Sequence, residues 1–277
     1  MIEPGFIAAA LKWVDLRPDV DPLAGTVRHD DRTRGLSLAD AAALEWALRL
    51  GEAWQLPVAA ITAGPPGAEA VLRDAAAFGP QQLVLVTAAP GAPSEMIADA
   101  LAPLLEGAAV VCCGDYSADR GSGAVPAFMA HRLGAAQALG LTGLTPGERG
   151  SLAAQRRLDG GRREHLRVTV PAVISVEPGA ARLRRAPLSG LLAARQAVLE
   201  VIEGTAARYP RVQVMRTTPY RPRPKMVLPP RDPAPRARLL ALTGALTQRT
   251  PPRVVRAPCD EAADELIRYL KDKGYLT

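Results

Sequence analysis

Four short apolar runs alternate with amphipathic stretches of helical length, and this alternation limits the chain to a small set of folds. The apolar runs cover residues 6–11, 57–63, 82–87 and 108–113. Continuous apolar runs of this length are typical of strands that are buried on both faces of a sheet. Helices between successive runs indicate parallel strands, because a parallel pair needs a crossover connection. The pattern therefore predicts a parallel sheet covered by helices on both faces.

Amphipathic stretches with helical spacing connect the apolar runs. They cover residues 37–50, 69–78, 94–105 and about 126–139. We predict Ser37 and Ser94 as N-caps, because a serine hydroxyl accepts from the free amides of a first helical turn. Glycine-proline pairs at 64–65 and 79–80 end a strand and a helix, respectively. This part of the chain is predicted to be an α/β domain with three layers.

Beyond residue 150 the pattern changes to a hairpin and a long irregular segment. Residues 153–158 and 165–170 flank Asp159-Gly160-Gly161, which fits a tight hairpin turn. Residues 171–177 are predicted to form one more buried strand. The remaining predicted elements are a helix over about 188–203, short extended pieces over 239–243 and 253–256, and a helix over 261–273 capped by Asp260.

The basic charge of the chain is concentrated in one segment. Arg and Lys number 34 against 28 Asp and Glu, a net charge of +6. Residues 208–256 contain 12 Arg and Lys but one acid, so this segment carries +11 and the rest of the chain −5. Only Tyr209 and Tyr220 add aromatic rings there, whereas binding to single strands uses a series of stacking rings. We therefore expect no nucleic-acid binding, and an RNA-binding arm is the alternative.

Reactive residues show no spacing that indicates catalysis or metal binding. Cys112, Cys113 and Cys259 form no CxxC or Cys/His pattern, and the three histidines lie far apart. We expect the cysteines to be buried strand thiols in a reducing cytosol. The first residues lack the features of a signal peptide, and no stretch reaches the ~18 apolar residues of a membrane span. We therefore expect a cytoplasmic protein that has no catalytic constellation and does not insert into a membrane.

A glycine-rich loop, residues 112–126, joins the fourth apolar run to the following helix. Its three glycines allow a close backbone approach to a phosphate, and Ser122 supplies a hydroxyl. Small residues at 8–10 and 62–64 leave room for a flat ring. The loop is neither a GxGxxG motif nor a Walker loop, so a plain strand-to-helix loop with tight packing is the alternative.

Taken in order, these segments resemble the beta subunit of electron transfer flavoproteins. They match the family's VKRV-type run, its NPFDEYALEEAL-type helix, its glycine-proline turn, its DGDTGQV loop, its hairpin, its PRYATLPNIMKAKK loop and a C-terminal PPQRTAGVKV-type element. The corresponding residues here are 10–14 (ALKWV), 37–48 (SLADAAALEWAL), 64–80, 114–125 (GDYSADRGSGAV), 156–177, 183–195 (LRRAPLSGLLAAR) and 250–258. The resemblance is collinear over nearly the whole chain.

The resemblance implies a HUP/Rossmann-like, adenine-nucleotide-binding α/β domain over residues 1–204. Residues 205–277 would form a Pro/Arg-rich arm and a terminal helix that contact an alpha subunit. In the family the alpha subunit carries most of the FAD site, and the beta subunit holds AMP as a structural nucleotide. Carried over by position, the AMP contacts are Ala10, Ser37, Ala63, Gly64, Gly114, Asp119, Arg120, Ser122, Gly123, Ala124 and Val125.

Some of these positions depart from the family pattern. Ser37 replaces a usual Asn and Ala124 a usual Gln, which removes two polar contacts from the AMP site. Arg120 stands where the family has glycine, and its guanidinium can pair with a phosphate. Near the flavin, Lys12 and Trp13 replace the usual Lys-Arg pair.

The family also docks to dehydrogenases through a leucine that corresponds here to Leu188. An exposed apolar anchor ringed by polar residues is a typical docking arrangement. Arg184 and Arg185 precede it, and Ser189 replaces the usual proline, which indicates a partner other than the common acyl-CoA dehydrogenases. The alternative is that Leu188 begins the core face of a helix.

The resemblance thus implies an electron-carrier subunit that is not an enzyme. It would form a heterodimer with an FAD-bearing alpha subunit and pass electrons from a dehydrogenase toward the respiratory chain. The divergent loops suggest a specialised paralogue, of the type associated with mycofactocin-dependent dehydrogenases. The rival interpretation is a stand-alone adenine-nucleotide sensor of the universal-stress-protein type, which would need neither the arm nor the docking loop.

Overall fold

The computed structural model describes residues 5–204, 215–216, 218, 230–231, 234–243 and 254–276. The chain divides into two compact units, Met1–Tyr220 and Arg221–Thr277. None of the helices in the described ranges combines the length and the hydropathy that a membrane span requires.

Strands and helices of the first unit follow the predicted alternation. The strands are β1 (Phe6–Leu11), β2 (Trp13–Asp15), β3 (Asp19–Val20), β4 (Val27–Arg28), β5 (Arg34–Leu36), β6 (Val58–Gly64), β7 (Gln82–Thr87), β8 (Ala108–Gly114), β9 (Ala136–Pro146), β10 (Ser151–Arg157), β11 (Arg163–Thr169), β12 (Ala172–Val176) and β13 (Glu200–Glu203). The helices are α1 (Leu38–Trp54), α2 (Glu69–Ala76), α3 (Ser94–Leu105), α4 (Ala124–Leu133) and α5 (Leu188–Ala194).

Nine of the described strands form one sheet in the order β11-β10-β9-β12-β8-β1-β6-β7-β13. All neighbours from β9 to β13 in this order pair in parallel, and β9, β10 and β11 pair antiparallel. The prediction of a mainly parallel α/β sheet is therefore confirmed. Two further antiparallel pairs, β2 with β5 and β3 with β4, lie between β1 and α1 and had no counterpart in the sequence prediction.

The continuous apolar runs arise because both faces of the sheet are covered. In β1, Ile7, Ala9 and Leu11 pack in a cluster with α1 and α2. Phe6 and Ala8 point to the opposite face and pack in a cluster with α3 and α4. Successive strand residues point to opposite faces, so an apolar layer on each side demands apolar residues at every position. The result is a three-layer domain with its core on both sides of β1.

Two predicted helices of the first unit are shorter in the structure. The helix predicted over 126–139 ends at Leu133, where Gly134 caps it with a positive φ of 58°, and β9 begins at Ala136. The helix predicted over 188–203 ends at Ala194, and β13 follows and pairs with β7. In both places a strand pairing with a sequence-distant partner replaces the predicted helical end.

Cap and turn predictions are partly confirmed. Ser37 caps α1, because its hydroxyl accepts from the Asp40 amide at 3.1 Å. Ser94 is instead the first residue of α3, and Pro93 occupies the N-cap position. The predicted hairpin is formed by β10 and β11, and its turn at Asp159–Gly161 needs left-handed backbone at both glycines.

The second unit contains two described helices, α6 (Pro235–Thr243) and α7 (Cys259–Asp272). The prediction of an extended piece over 239–243 is therefore wrong, because these residues are helical. Residues 254–256 form no strand, and residue 253 lies outside the described residues. The last predicted helix is confirmed, but Asp260 lies inside it and Pro258 precedes it without a side-chain cap. Most of the basic segment 208–256 lies outside the described residues.

The cysteine prediction holds for two of the three residues. Cys112 and Cys113 are buried in β8, where burial raises the pKa of both thiols above the ordinary value. Cys259 is exposed at the start of α7, so its prediction as a buried strand thiol is wrong.

Candidate functional site

A cavity of about 550 Å³ opens at the carboxyl ends of β1, β6 and β8. From β1 the chain builds β6 and β7 on one side, and it then crosses to β8 and β12 on the other. Such a reversal of strand order leaves a crevice beside the strand ends, which is where open α/β sheets bind ligands. The position of the cavity thus follows from the topology.

Most of the predicted contact residues lie in the wall of this cavity. The lining includes Ala10, Ala63, Gly64, Gly114, Asp119, Arg120, Ser122, Gly123 and Val125. Ser37 and Ala124 are not among the lining residues; Ser37 is buried as the cap of α1, and Ala124 is the first residue of α4. A direct contact from either side chain remains a prediction.

The loop between β8 and α4 has a backbone that requires glycine. A Cβ at Gly123 would lie 2.1 Å from the carbonyl oxygen of Asp115, far inside van der Waals contact. Gly121 has a φ of 62°, and its amide donates to the carbonyl of Ser117 at 2.8 Å. The loop is also fixed to the sheet, because the Asp115 amide donates to the carbonyl of Val176 at 3.1 Å. These contacts hold the loop close against the end of β8.

Two helices begin beside the same part of the cavity. Neither α3 nor α4 has a side-chain cap, so the amides of their first turns keep their capacity to donate. The hydroxyl oxygens of Ser94 and Ser122 lie 3.4 Å apart, which brings the two helix starts together. Arg120 donates to the carbonyl of Ala92 at 2.8 Å and so sets its guanidinium on the lining between them. This donor set suits an anion such as a phosphate group.

Lys12 connects the end of β1 to the glycine loop. Its ammonium lies 2.6 Å and 2.8 Å from the two carboxylate oxygens of Asp119. Burial opposes the ionisation of Asp119, but the hydrogen bonds and charge of Lys12 outweigh it and hold the pKa of Asp119 below its ordinary value. The pair has no net charge but is partly exposed, so the Lys12 ammonium keeps the capacity to donate to a ligand in the cavity.

Asp40 is a cavity residue that the sequence prediction missed. It lies in the first turn of α1, is buried, and accepts a hydrogen bond from the Ser37 hydroxyl at 2.7 Å. Burial raises the pKa of Asp40 to about 6, although the Ser37 hydroxyl and the charge of Lys12 act in the opposite direction. From sequence, an acid three residues after an N-cap indicates only a capped first turn.

This raised pKa predicts a pH-dependent stability that Asp40→Asn should remove. The folded state holds the Asp40 proton up to about pH 6, whereas an unfolded chain releases it near 3.8. Ionisation therefore opposes folding, and the free energy of unfolding falls as pH rises from about 4 to 6. The two pKa values correspond to a loss of about 3 kcal/mol.

Denaturant unfolding of the wild type and Asp40→Asn between pH 4 and 8 measures the effect. The variant should gain stability relative to the wild type as pH rises. Asp19→Asn, at an exposed carboxylate, is the control. If the difference in the free energy of unfolding between the two proteins stayed constant from pH 4 to 8, Asp40 would be ionised throughout this range. The prediction would then be wrong.

The segment between β1 and α1 supplies another wall that the sequence did not reveal. The guanidinium carbon of Arg34 lies 4.3 Å from the ring centroid of Trp13. The indole nitrogen of Trp13 is buried and has no hydrogen-bond partner among the described residues. Asp15 accepts from the Thr33 hydroxyl at 2.7 Å and from the Arg17 amide at 2.9 Å, and these bonds hold its pKa well below the ordinary value. Trp13, Asp15 and Arg34 all line the cavity.

The predicted docking residues lie apart from this cavity, at and before the start of α5. Leu188 is 73% exposed, so its side chain contributes little to the core of this chain. Arg185 is also exposed. Arg184 behaves differently, because its guanidinium is paired with Glu45 and Glu52 of α1.

The family model of the electron transfer flavoprotein domain matches residues 25–207, about two-thirds of the chain. The chain belongs to the electron transfer flavoprotein family. The matched range contains β6 to β13, α1 to α5 and the loop that forms one wall of the cavity.

Two curated relatives identify the branch of the family. The electron transfer flavoprotein subunit beta of Chromohalobacter salexigens is 30% identical over 209 residues, which cover 74% of this chain and 72% of that protein. The protein FixA of Rhizobium meliloti is 30% identical over 200 residues, which cover 68% of this chain and 67% of FixA. The chain is thus an electron transfer flavoprotein of the beta-subunit type, an electron-transfer protein and not an enzyme.

Proposed function

We propose that this electron transfer flavoprotein chain is the nucleotide-binding subunit of a heterodimer with an FAD-bearing alpha-type subunit. The pair would accept electrons from a dehydrogenase and deliver them toward the respiratory chain. The observation that carries the proposal is the cavity at the strand-order reversal, walled by a glycine loop and two uncapped helix starts. The similarity to the beta subunit of Chromohalobacter salexigens supports the choice of partner.

The residues of the cavity fit an adenine mononucleotide, and we propose AMP. Lys12, Arg120, Ser122 and the first amides of α4 would hold the phosphate. The small residues Ala63 and Gly64, at the end of β6, leave space for a flat base. A volume of about 550 Å³ lies within the range typical of small-molecule sites. The unpartnered indole N–H of Trp13 offers a further donor to the ligand.

The flavin would be enclosed between the two subunits. Bound FAD would supply the electron chemistry. The residues of this chain would bind AMP, help to enclose the flavin and dock to the dehydrogenase. We also propose a cytoplasmic location for the complex, with which the buried thiols of β8 agree.

Co-expression with an alpha-type subunit tests the proposal. We expect a yellow 1:1 complex with a flavin absorption spectrum, from which heat releases AMP in an amount close to that of FAD. The two chains purified separately and mixed without flavin provide the control. A chain that retains a nucleotide but never associates with an alpha-type subunit would favour the stand-alone sensor and contradict the carrier.

A further inference from the structure

The segment between β12 and α5, residues 177–187, has almost no secondary structure of its own. Its internal backbone bond is a single turn, from the Ala180 amide to the carbonyl of Glu177 at 2.9 Å. Such a segment is ordered by what it contacts, since irregular chain without tertiary contacts opens easily. We call residues 177–187 the docking segment, because they lead directly to Leu188.

Helix α1 provides the surface on which the docking segment lies. The indole nitrogen of Trp46 donates to the carbonyl of Ala180 at 3.3 Å. Ala180, Ala181 and Leu183 pack against the core cluster that contains α1. These contacts place the first part of the segment on α1 and are mainly apolar.

Arg184 makes the strongest set of polar contacts in the segment. Its backbone amide and its Nε each lie 3.0 Å from Oε2 of Glu45, and its Nη2 lies 3.2 Å from Oε1. Its Nη1 also donates to Glu52, two helical turns further along α1. The planar guanidinium thus joins two carboxylates on one face of α1, which a lysine ammonium cannot do in the same way.

Glu45 shows that this contact is part of the interior. Its side chain is 4% exposed and also accepts from Nε of Arg49 at 2.7 Å. Burial opposes its ionisation, but the bonds from Arg184 and Arg49 prevail and lower the pKa of Glu45 below the ordinary value. A buried carboxylate that loses one of its two cations is strongly destabilised. Arg184 is therefore committed to α1 and has little capacity for an external partner.

The chain that follows Leu188 is fixed by close packing. A Cβ at Gly190 would lie 2.3 Å from the carbonyl oxygen of Ala77, just after α2. The chain is thus held at Arg184 on α1 and at Gly190 beside α2, and Leu188 stands exposed between the two attachments. Arg185, next to the first attachment, is exposed and makes no ion pair within the described residues.

We propose that Arg184 is a positioning residue that clamps the docking segment onto α1 and so presents Leu188, and that it does not itself contact the dehydrogenase. The inference deepens the proposed function and rests on it, since it assumes that Leu188 is the docking anchor.

The test uses the FAD-loaded heterodimer with Arg184→Met, Arg184→Lys and the matched control Arg185→Met. Amide hydrogen exchange is measured across residues 177–188 in the absence of any dehydrogenase. We expect exchange in this segment to become faster by about tenfold in both Arg184 variants and to stay unchanged in Arg185→Met. Glu52→Gln, which leaves Glu45 paired with Arg184, should give a smaller change of the same kind and guards against a general loss of folding. FAD content should equal that of the wild type in every variant.

Reduction of the heterodimer by a dehydrogenase already shown to reduce the wild type completes the test. Arg184→Met should slow reduction through a higher KM and should add little when combined with Leu188→Ala. Unchanged exchange in the Arg184 variants would overturn the clamp. If an Arg184 variant kept the exchange rates of the wild type but was reduced more slowly, the clamp would also be overturned. Arg184 would then contact the dehydrogenase directly. If exchange became faster in Arg184→Met but Leu188→Ala were reduced at the wild-type rate, the positioning role of Arg184 would stand. The docking role of Leu188 in the proposed function would then be contradicted.

Discussion

Replacing Gly123 by alanine is expected to weaken nucleotide binding strongly while the sheet remains folded. The added Cβ would lie 2.1 Å from the carbonyl oxygen of Asp115, so the loop must shift. The loop cannot shift freely, because the Asp115 amide is bonded to Val176 in the sheet and α4 begins at the next residue. Overpacking of this kind costs about 1–3 kcal/mol. If the whole cost falls on the conformation that binds the nucleotide, the affinity for AMP drops by about fivefold to 150-fold.

The measurement is the amount of AMP released from the purified heterodimer, followed by calorimetric titration of AMP. Gly179→Ala is the matched control, because a Cβ there meets no atom within 4 Å and its φ is not left-handed. Thermal unfolding of both variants reports on the fold. Full AMP content in Gly123→Ala would show that the glycine loop is not the phosphate-binding element.

Truncation of Leu188 to alanine is expected to slow electron acceptance from the donor dehydrogenase by about thirtyfold or more in kcat/KM. This corresponds to the loss of a central apolar anchor, which is worth about 2 kcal/mol or more at protein interfaces. The fold should be nearly unaffected, because the side chain is 73% exposed. Flavin and AMP contents should therefore match the wild type.

Leu38→Ala provides a close control for this experiment. Leu38 is the first residue of α1, as Leu188 is of α5, and it is 77% exposed. Rapid mixing of each heterodimer with the reduced dehydrogenase gives the rates. Loss of flavin in Leu188→Ala, or equal slowing in Leu38→Ala, would contradict a specific docking role.

The parallel sheet could be predicted because its signal is local and strong. Strands such as β1 and β8 are buried on both faces, so their apolar runs are continuous. The cap of α1 was also predictable, because Ser37 contacts an amide three residues away. In these cases the sequence and the tertiary environment favour the same structure.

The prediction failed where distant partners decide the conformation. Residues 135–139 include several helix-favouring alanines, yet β9 forms because it pairs with β12 on one side and β10 on the other. The sequence predicts both partners as strands, but the local pattern of residues 135–139 does not show that this stretch pairs with them. The strand β13 was missed for the same reason, since its partner β7 lies more than a hundred residues earlier.

The residues of the candidate site also divide into those that a local sequence pattern reveals and those that distant contacts bring together. The glycine loop has a sequence pattern of its own, so its cavity position could be expected. Asp40 and the Trp13–Arg34 pair reach the cavity only through the three-dimensional arrangement of α1 and β5. The partner of Arg184 lies 139 positions away in Glu45, which explains why the sequence suggested a surface role for this arginine.

The order of the sheet also bears on how the protein avoids self-association. The strand β11 lies at one edge, where unpaired backbone groups could recruit a strand from another molecule. Arg163, Glu164 and Arg167 stand along this edge strand. Charged side chains on an edge disfavour the addition of a further strand, because each added strand would bring like charges together or desolvate them. The sheet of this chain thus carries, on β11, charges that oppose the aggregation of one molecule with another.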